Sequence, residues 1–336
     1  MSEQSTSAQA PADTSEGATG HLPGLLPEVE PTDAAAEKAA RKVPKTMVGG
    51  LVKALRPRQW VKNVLVLAAP AAAGSVFHWN VLGPVALAFA VFCMAASSIY
   101  LINDARDVEA DRAHPIKRYR PIAAGVLPVT VAYAAAAILI IAAIGLSFLA
   151  NYELAVVTAV YIAVQLAYCF GLKHQAVLDI CIVSSGFLLR AMAGGVAAGL
   201  ALSQWFLLVM AFGSLFMAAG KRYAELQLAE RTGAKIRKSL EGYTTTYLRF
   251  VWTLSATAVV LCYGLWAFDQ DKLHGGVWFA VSMVPFVIAI LRYAVDVDGG
   301  VAGEPEEIAL SDRVLQLMAV AWIGVVGVAV YVIPHV

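Results

Sequence analysis

Charged residues are scarce in this sequence. Asp, Glu, Lys and Arg make up 15% of its 336 residues, whereas they make up about 25% of a typical soluble domain. Hydrophobic residues reach 59%, and the mean hydropathy is +0.68. This balance excludes an ordinary soluble enzyme and predicts an integral membrane protein. The net charge of +1 gives no reason to expect a nucleic-acid partner, and we predict none.

Cysteine is rare as well. The four cysteines lie within or beside apolar runs, and no two form a CxxC pair: Cys93, Cys169, Cys181 and Cys262. Without paired spacing, neither a zinc site nor a disulfide framework is indicated. We therefore predict that the thiols pack in the core or against lipid.

The first 45 residues contain no apolar run. They are rich in Ser, Thr, Ala, Pro and acidic residues, so they cannot bury enough surface to fold. They also lack the basic start and apolar centre of a signal peptide. We predict a disordered cytosolic tail over residues 1–45 and one transmembrane domain over residues 46–336.

Long apolar runs dominate the rest of the chain. A membrane-spanning helix needs about 20 apolar residues, and nine runs meet or approach that length. The runs are continuous rather than alternating, which favours helices over strands. We predict an all-α bundle of nine transmembrane helices over residues 61–79, 82–103, 122–149, 153–172, 177–199, 203–220, 247–268, 277–293 and 314–333.

Lys and Arg are distributed unevenly between the connections. Of 25 cations, only Lys272 lies in the loops of one face, and only Arg190 lies more than three residues from the ends of a run. Because cytosolic loops carry the excess of Lys and Arg, we predict a cytosolic amino terminus and a plasma-membrane protein whose functional loops face the cytosol.

Arg190 lies in the fifth run. A cation at the centre of a membrane helix costs about 2.5–3.5 kcal/mol on insertion scales. We therefore predict that Arg190 has a partner elsewhere in the bundle or binds an anionic ligand.

Acidic residues are concentrated at the cytosolic end of the second run, in "NDARDVEAD". On one helix, Asn103, Asp104, Asp107 and Asp111 would fall within an arc of about 100° over roughly 12 Å. Like charges on one face repel, and carboxylate oxygens suit Mg²⁺, which also bridges to substrate phosphates. We predict that these four residues bind Mg²⁺. A solvated helix end, paired with neighbouring arginines, is the alternative.

Other polar side chains lie at the same predicted level and are candidates to bind substrate. They are Arg56, Arg58 and Lys62 before or within the first run, Lys117 and Arg118 after the acidic residues, Tyr168 and Lys173 after the fourth run, and Lys221, Arg222, Tyr223 and Glu225 after the sixth. Attraction to anionic lipid headgroups is the alternative explanation for the cations.

The motif NDxxDxxxD, followed by "RYRPIAAG", resembles the first aspartate-rich motif of the UbiA superfamily of intramembrane prenyltransferases. The resemblance covers residues 50–335. It implies a nine-helix bundle in which two aspartate-rich motifs, after spans two and six, bind Mg²⁺ and a prenyl diphosphate. This sequence departs at the second motif, where "GKRYAEL" replaces DxxxD.

One branch of the superfamily, a group of phosphoribosyltransferases, is similar to this sequence at that position and at three other segments: "RPRQWVKN", "YCFGLKHQAVLD" and "RYAVDVDGG". The resemblance implies transfer of a 5-phosphoribosyl group from phosphoribosyl diphosphate to a polyprenyl (decaprenyl) phosphate, in arabinose-donor synthesis for cell-wall arabinogalactan and lipoarabinomannan. Asp104, Asp107 and Asp111 would hold the diphosphate through Mg²⁺ as the catalytic group. Candidates for the 5-phosphate, ribose and diphosphate oxygens are Lys117, Arg118, Lys173, Lys221, Arg222 and Tyr223. Candidates for the lipid phosphate are Arg56, Arg58 and Lys62.

Other interpretations remain open from the sequence. One alternative is a UbiA-type prenyltransferase that moves a prenyl chain from a prenyl diphosphate to an aromatic acceptor; the absence of a second DxxxD from this sequence disfavours it. A transporter would place ionisable or helix-breaking residues near the midplane of several spans, where this chain has Arg190 and some glycines. The small-residue runs "AMAGGVAAG" and "AASS" allow close helix packing, including in a homo-oligomer.

Overall fold

The computed structural model describes residues 39–233, 238–274, 276–299, 308 and 311–332. Within these ranges every regular element is a helix, as predicted. The predicted tail lies almost entirely outside the described residues, as does most of the acidic loop 296–312, so the division at residue 45 stays a prediction.

The apolar runs fold as helices because a helix satisfies its own backbone hydrogen bonds, which lipid cannot do. The α-helices are α1 (Met47–Ala54), α2 (Ala68–Ala72), α3 (Trp79–Arg106), α4 (Val108–Ala113), α5 (Val129–Ser147), α6 (Tyr152–Cys169), α7 (Leu178–Ala197), α8 (Gln204–Thr232), α9 (Thr245–His274), α10 (Trp278–Asp298) and α11 (Arg313–Gly327), which continues as a π-helix over Val328–Val332. Among the described residues, α3 and the seven helices α5 to α11 are long and apolar enough to cross a membrane. This is a multi-pass membrane protein, as predicted.

The first predicted span, 61–79, is not one α-helix, which corrects the expected count of nine long helices. A 3₁₀-helix covers Pro57–Leu67, and α2 follows it. Pro70 has no N–H, so it cannot make the α-helical hydrogen bond to the Val66 carbonyl. That carbonyl instead faces α7, where a Cβ on Gly194 would lie 1.7 Å from it. The missing side chain at Gly194 therefore permits this contact.

The 3₁₀ segment and α2 still run from one end of the bundle to the other. With rises of about 2.0 and 1.5 Å per residue, they cover about 30 Å, the thickness of the hydrocarbon core. Arg56, just before the segment, bonds to Asp104, whereas Gly74, just after it, lies beside Val330 of the final π-helix. The described residues thus cross the bundle nine times, once through a largely 3₁₀ segment.

Two large apolar cores hold the bundle together. One joins α8, α9 and α10, where Phe216 and Tyr223 stack on Trp252 with ring centroids 5.8 and 5.4 Å away. The other joins the 3₁₀ segment to α3, α6 and α7 around buried residues such as Phe92. On the outside, apolar side chains such as Ile141, which is 72% exposed, can contact lipid.

Both small-residue runs pack inside this chain. Ala95 and Ser98 in α3 are fully buried, and Gly195 in α7 faces Leu202 and Ala69. The predicted close packing is therefore used between the chain's own helices, and a homo-oligomer stays a prediction.

Two predicted boundaries shift at proline and glycine residues. The third run begins as α5 only after Pro128, because Gly125 adopts a φ of 76° and turns the preceding residues away from the helix. The sixth run continues well past residue 220 to Thr232, and Gly233, at a φ of 70°, ends it. The charged sequence "KRYAELQLAERT" is thus a helical extension of α8.

Candidate active site

The acidic cluster, defined as Asn103, Asp104, Asp107 and Asp111, does not lie on one continuous helix, which corrects that prediction. α3 ends at Arg106, and Asp107 takes a φ of −88° and a ψ of 12° before α4 begins. This ψ departs from the helical value of about −42°, so the direction of the chain changes at Asp107. A lysine from another segment, Lys173, bonds to the Asp107 side chain at this point.

Asp104 and Asp111 are both buried and share one arginine. Arg120 Nη1 donates to Asp104 at 3.1 Å and to Asp111 at 2.8 Å. Arg56 Nη2 donates to both oxygens of Asp104, at 2.7 and 2.9 Å. Two cations and two carboxylates from four segments therefore meet at one end of the bundle.

Sequence reasoning missed Arg120, although it selected Lys117 and Arg118 three and two residues earlier. These two side chains are exposed, and Arg118 lies 4.9 Å from the centroid of the Tyr119 ring. Arg120 differs because Ile122, two residues later, is 1% exposed and anchors the segment in the core. The sequence feature that distinguishes Arg120 from these two cations is the apolar Ile122 that follows Arg120 and Pro121.

The loop before Arg120 is organised by His114. Its Nδ1 accepts hydrogen bonds from the backbone N–H groups of Ile116 and Lys117, at 3.1 and 3.3 Å. Burial and the nearby Lys117 charge lower the pKa of His114. The neutral imidazole is the form that can accept these bonds, so burial and hydrogen bonding favour the same state.

Lys173, a predicted substrate-binding residue, is brought to the acidic cluster. Its Nζ lies 2.8 Å from both carboxylate oxygens of Asp107. A short 3₁₀-helix, Leu172–His174, carries it there after Gly171 turns the chain with a φ of 140°. The adjacent end of α6 also touches the cluster, because Cys169 Sγ donates to Asn103 Oδ1 at 3.8 Å.

The acidic cluster has the donor set that Mg²⁺ prefers, three carboxylates and an amide oxygen. In the described part of the chain, no three His, Cys, Asp or Glu side chains are close enough to form a metal site by themselves. Mg²⁺ commonly uses one or two carboxylates together with water and substrate phosphates, so the residues fit a metal that arrives with a phosphate ligand. Asp107, whose side chain is 32% exposed, is the most accessible carboxylate.

A second polar group lies where α7, α8 and the following connection meet. Asp179 is fully buried and accepts a hydrogen bond from Arg222 Nε at 3.1 Å. Tyr243 donates its phenolic hydrogen to the other oxygen of Asp179, and Arg222 also pairs with Glu225 at 3.5 Å. Burial and Asp179 raise the pKa of Tyr243, so its hydroxyl remains a donor. Tyr168 lies close enough to Arg222 to interact with its charge.

Tyr223, predicted to bind substrate, is 1% exposed and packs among α8, α9 and α10. Its hydroxyl donates to Asp298 Oδ1 at 2.8 Å and accepts from Arg249, and its ring stacks on Trp252. The remaining candidates are accessible to different degrees: Arg58 is exposed, and Lys62, Tyr168 and Lys221 are half-buried.

Comparison with known proteins gives the family. The UbiA prenyltransferase family model matches residues 64–311, which is more than half of the chain. The chain belongs to the UbiA prenyltransferase family. This confirms the resemblance seen in NDxxDxxxD.

Other members of the UbiA family are similar over nearly the whole chain. A decaprenyl-phosphate phosphoribosyltransferase from Mycolicibacterium smegmatis is 70% identical over 300 residues, which is 86% of this chain and 94% of that protein. A protein of the same name from Corynebacterium glutamicum is 64% identical over 309 residues, covering 90% and 93%.

Solved structures confirm the fold of the bundle. A UbiA homologue from Archaeoglobus fulgidus, bound to DMAPP and Mg²⁺, matches with a TM-score of 0.63 at 13% identity over 84% of this chain and 99% of that chain. A digeranylgeranylglyceryl phosphate synthase matches with a TM-score of 0.59 at 17% identity, covering 85% and 98%.

Arg190 is buried inside this UbiA bundle and bonds to neutral partners. It donates from Nε to Asn63 Oδ1 at 2.7 Å, from Nη1 to the Gly186 carbonyl at 2.7 Å and from Nη2 to the Tyr161 hydroxyl at 2.9 Å. Asn63 donates in turn to Cys93 Sγ at 3.2 Å. These contacts give Arg190 partners elsewhere in the bundle, one of the two predicted outcomes, and join the 3₁₀ segment to α6 and α7.

Asn63→Leu is expected to destabilise the protein by about 1–3 kcal/mol, because it leaves the Arg190 Nε–H buried without an acceptor. The measurement is the thermal unfolding midpoint in detergent. Asn80→Leu is the matched control, since Asn80 is exposed. Equal midpoints for the two variants would contradict the role given to Asn63.

Proposed function

We propose that this chain is a Mg²⁺-dependent transferase that moves a 5-phosphoribosyl group from phosphoribosyl diphosphate to a polyprenyl phosphate and releases diphosphate, in arabinose-donor synthesis for the cell wall. The observation that carries the proposal is identity of 64–70% with decaprenyl-phosphate phosphoribosyltransferases over 86–90% of the chain. The match covers 93–98% of the length of those proteins.

The polar groups suit this chemistry. The attacking oxygen belongs to a lipid phosphate, which is already anionic, so no general base is required. A bond forms between this oxygen and C1 of the ribose, the bond from C1 to the diphosphate oxygen breaks, and its electron pair leaves with diphosphate. Arg56, Arg120 and Lys173 all lie at the acidic cluster, where fixed positive charge stabilises the charge that develops on the leaving group.

Asn103, Asp104, Asp107 and Asp111 would hold Mg²⁺. When bound, the metal neutralises phosphate charge and orients the leaving group. Arg58 and Lys62 stay candidates for the lipid phosphate. Arg56, first predicted with them, instead pairs with Asp104.

The position of the second aspartate-rich motif favours a phosphoribosyl donor. Arg222 lies there between two carboxylates, Asp179 and Glu225, and Lys221 precedes it. Asp179 is fully buried, so Glu225 is the more accessible carboxylate here, and it lies beside two cations. One accessible carboxylate is poorly suited to bind a second Mg²⁺ that would hold a diphosphate. It is better suited to a donor that carries a separate monophosphate.

The transfer reaction is tested with purified protein in detergent, labelled phosphoribosyl diphosphate and a polyprenyl phosphate. We expect Mg²⁺-dependent movement of the label into the lipid phase, its loss with EDTA and its recovery with added Mg²⁺. Label that stays in the aqueous phase, together with consumption of dimethylallyl or geranyl diphosphate, would contradict the proposal and favour a prenyl donor.

The active end is proposed to face the cytosol from the plasma membrane. The supporting observation is the concentration of cations at that end, which the positive-inside tendency assigns to the cytosol. A cysteine introduced at exposed Arg58 would test this, since a membrane-impermeant thiol reagent should label it only after the cells are opened.

A further inference from the structure

Two residues other than glycine have a positive φ among the described residues, and both lie next to the site. They are Arg56, at 54°, and Val177, at 70°. Arg56 places its side chain on Asp104. Val177 is the more strained, because its β-branched side chain clashes with the backbone in this conformation. Such a residue persists only where its surroundings hold it.

The contact that holds Val177 comes from the connection between α8 and α9. The Val177 N–H donates to the Tyr243 hydroxyl oxygen at 2.7 Å, and that hydroxyl donates to buried Asp179. Gly242 lies against the same segment, since a Cβ there would be 3.1 Å from the Ala176 Cβ. The Val177 side chain itself is 43% exposed, so its packing does not account for the strained backbone.

The strained residue closes the segment that carries Lys173. This segment starts after Gly171, includes the 3₁₀-helix Leu172–His174 and ends at Val177, where α7 begins. Its functional side chain, Lys173, lies 2.8 Å from both oxygens of Asp107. The backbone angles at Val177 set the direction of this segment relative to α7, which follows it. They therefore set the position of Lys173.

We infer that Tyr243 is a positioning residue: its hydroxyl holds Val177 at its positive φ and thereby places Lys173 at the acidic cluster. Asp179 accepts a hydrogen bond from the Tyr243 hydroxyl, and that hydroxyl acts on Lys173 through Val177. Tyr243 does not itself bind the donor. The inference rests on the proposed function only in assigning Lys173 to the diphosphate of the donor.

The kinetic test is Tyr243→Phe, which keeps the ring and removes the hydroxyl. We expect the KM for phosphoribosyl diphosphate to rise roughly tenfold, the size typical of a lost outer-shell contact, with the KM for polyprenyl phosphate unchanged. Because glycine adopts a positive φ without strain, adding Val177→Gly should restore most of the loss. Tyr247→Phe is the matched control, since this neighbouring ring stacks on Tyr243 at 6.0 Å.

A double-mutant cycle tests the link to Lys173. In a Lys173→Ala background, Tyr243→Phe should change the KM for the donor by less than about twofold, because residues that act through one another are not additive. Additive effects of the two substitutions, or a further loss on adding Val177→Gly, would overturn the inference.

Hydrogen–deuterium exchange provides a readout without turnover. Tyr243→Phe should speed exchange in peptides covering residues 172–178 and leave α5 unchanged, whereas Tyr247→Phe should affect neither. Unchanged exchange over 172–178 would overturn the inference. If the unsubstituted protein transferred no phosphoribose, the proposed function would be wrong, and the exchange result would still decide whether Tyr243 holds this segment.

Discussion

Asp107→Asn and Asp111→Asn should each lower phosphoribosyl transfer by about 100-fold or more while the protein still folds. Each change keeps the shape of the side chain and removes one negative charge from the acidic cluster. A metal ion supplies several kcal/mol of charge stabilisation, and each 1.36 kcal/mol corresponds to about tenfold in rate. The measurement is the initial rate of lipid labelling over a range of Mg²⁺ concentrations.

The two substitutions should differ in their effect on folding. Asp107 and Lys173 are partly exposed, at 32% and 17%, so their pairing contributes only about 0–1 kcal/mol. Asp111 is buried and pairs with Arg120, which is 28% exposed, so neutralising Asp111 should lower the unfolding midpoint more.

Glu109→Gln is the matched control for both substitutions. It makes the same chemical change on α4, the helix that carries Asp111 and directly follows Asp107. The Glu109 side chain is 80% exposed and pairs with Arg112. Its activity should equal that of the unsubstituted protein. Full Mg²⁺-dependent activity in Asp107→Asn and Asp111→Asn would remove the metal assignment.

Gly194→Ala should prevent assembly of the bundle or destabilise it by more than about 3 kcal/mol, the upper end of ordinary overpacking. The added Cβ would lie 1.7 Å from the Val66 carbonyl oxygen and 2.7 Å from its carbon. These are backbone atoms inside a close-packed core, so no side-chain rotation relieves the overlap. The 3₁₀ segment would have to move away from α7 and carry Arg56 with it.

The measurement for Gly194→Ala is the yield of monodisperse protein in detergent, followed by its unfolding midpoint. Gly145→Ala in α5 is the matched control, because a Cβ there meets no atom within 4 Å. Replacing glycine in a helix with alanine commonly stabilises a protein by about 0.5–1 kcal/mol. Similar behaviour of the two variants would contradict the close contact between the 3₁₀ segment and α7.

Much of the architecture follows from local sequence. The apolar runs predicted eight of the long helices, since lipid leaves a buried backbone few alternatives to helix. The exception, 61–79, contains Pro70 but also depends on Gly194, more than a hundred residues away. Pro70 leaves the Val66 carbonyl without an α-helical partner, but only the tertiary structure shows that this carbonyl packs against Gly194.

The sequence predicted which types of residue form the candidate site, but not which cation pairs with which carboxylate. Charge type and spacing identified Asp104, Asp107, Asp111 and Lys173, because charges are rare in such a chain. They could not separate Arg120 from the exposed cations beside it.

The sequence by itself determined that this is a helical membrane protein with acidic residues concentrated at one end of a helix, because composition, run length and motif are local properties. Only the tertiary structure decided which side chains meet there. Arg56 reaches Asp104 across 48 residues, and Tyr243 reaches Asp179 across 64. The physical reason is that a buried charge or polar group must find its partners in space, and neighbours along its own helix supply only some of them.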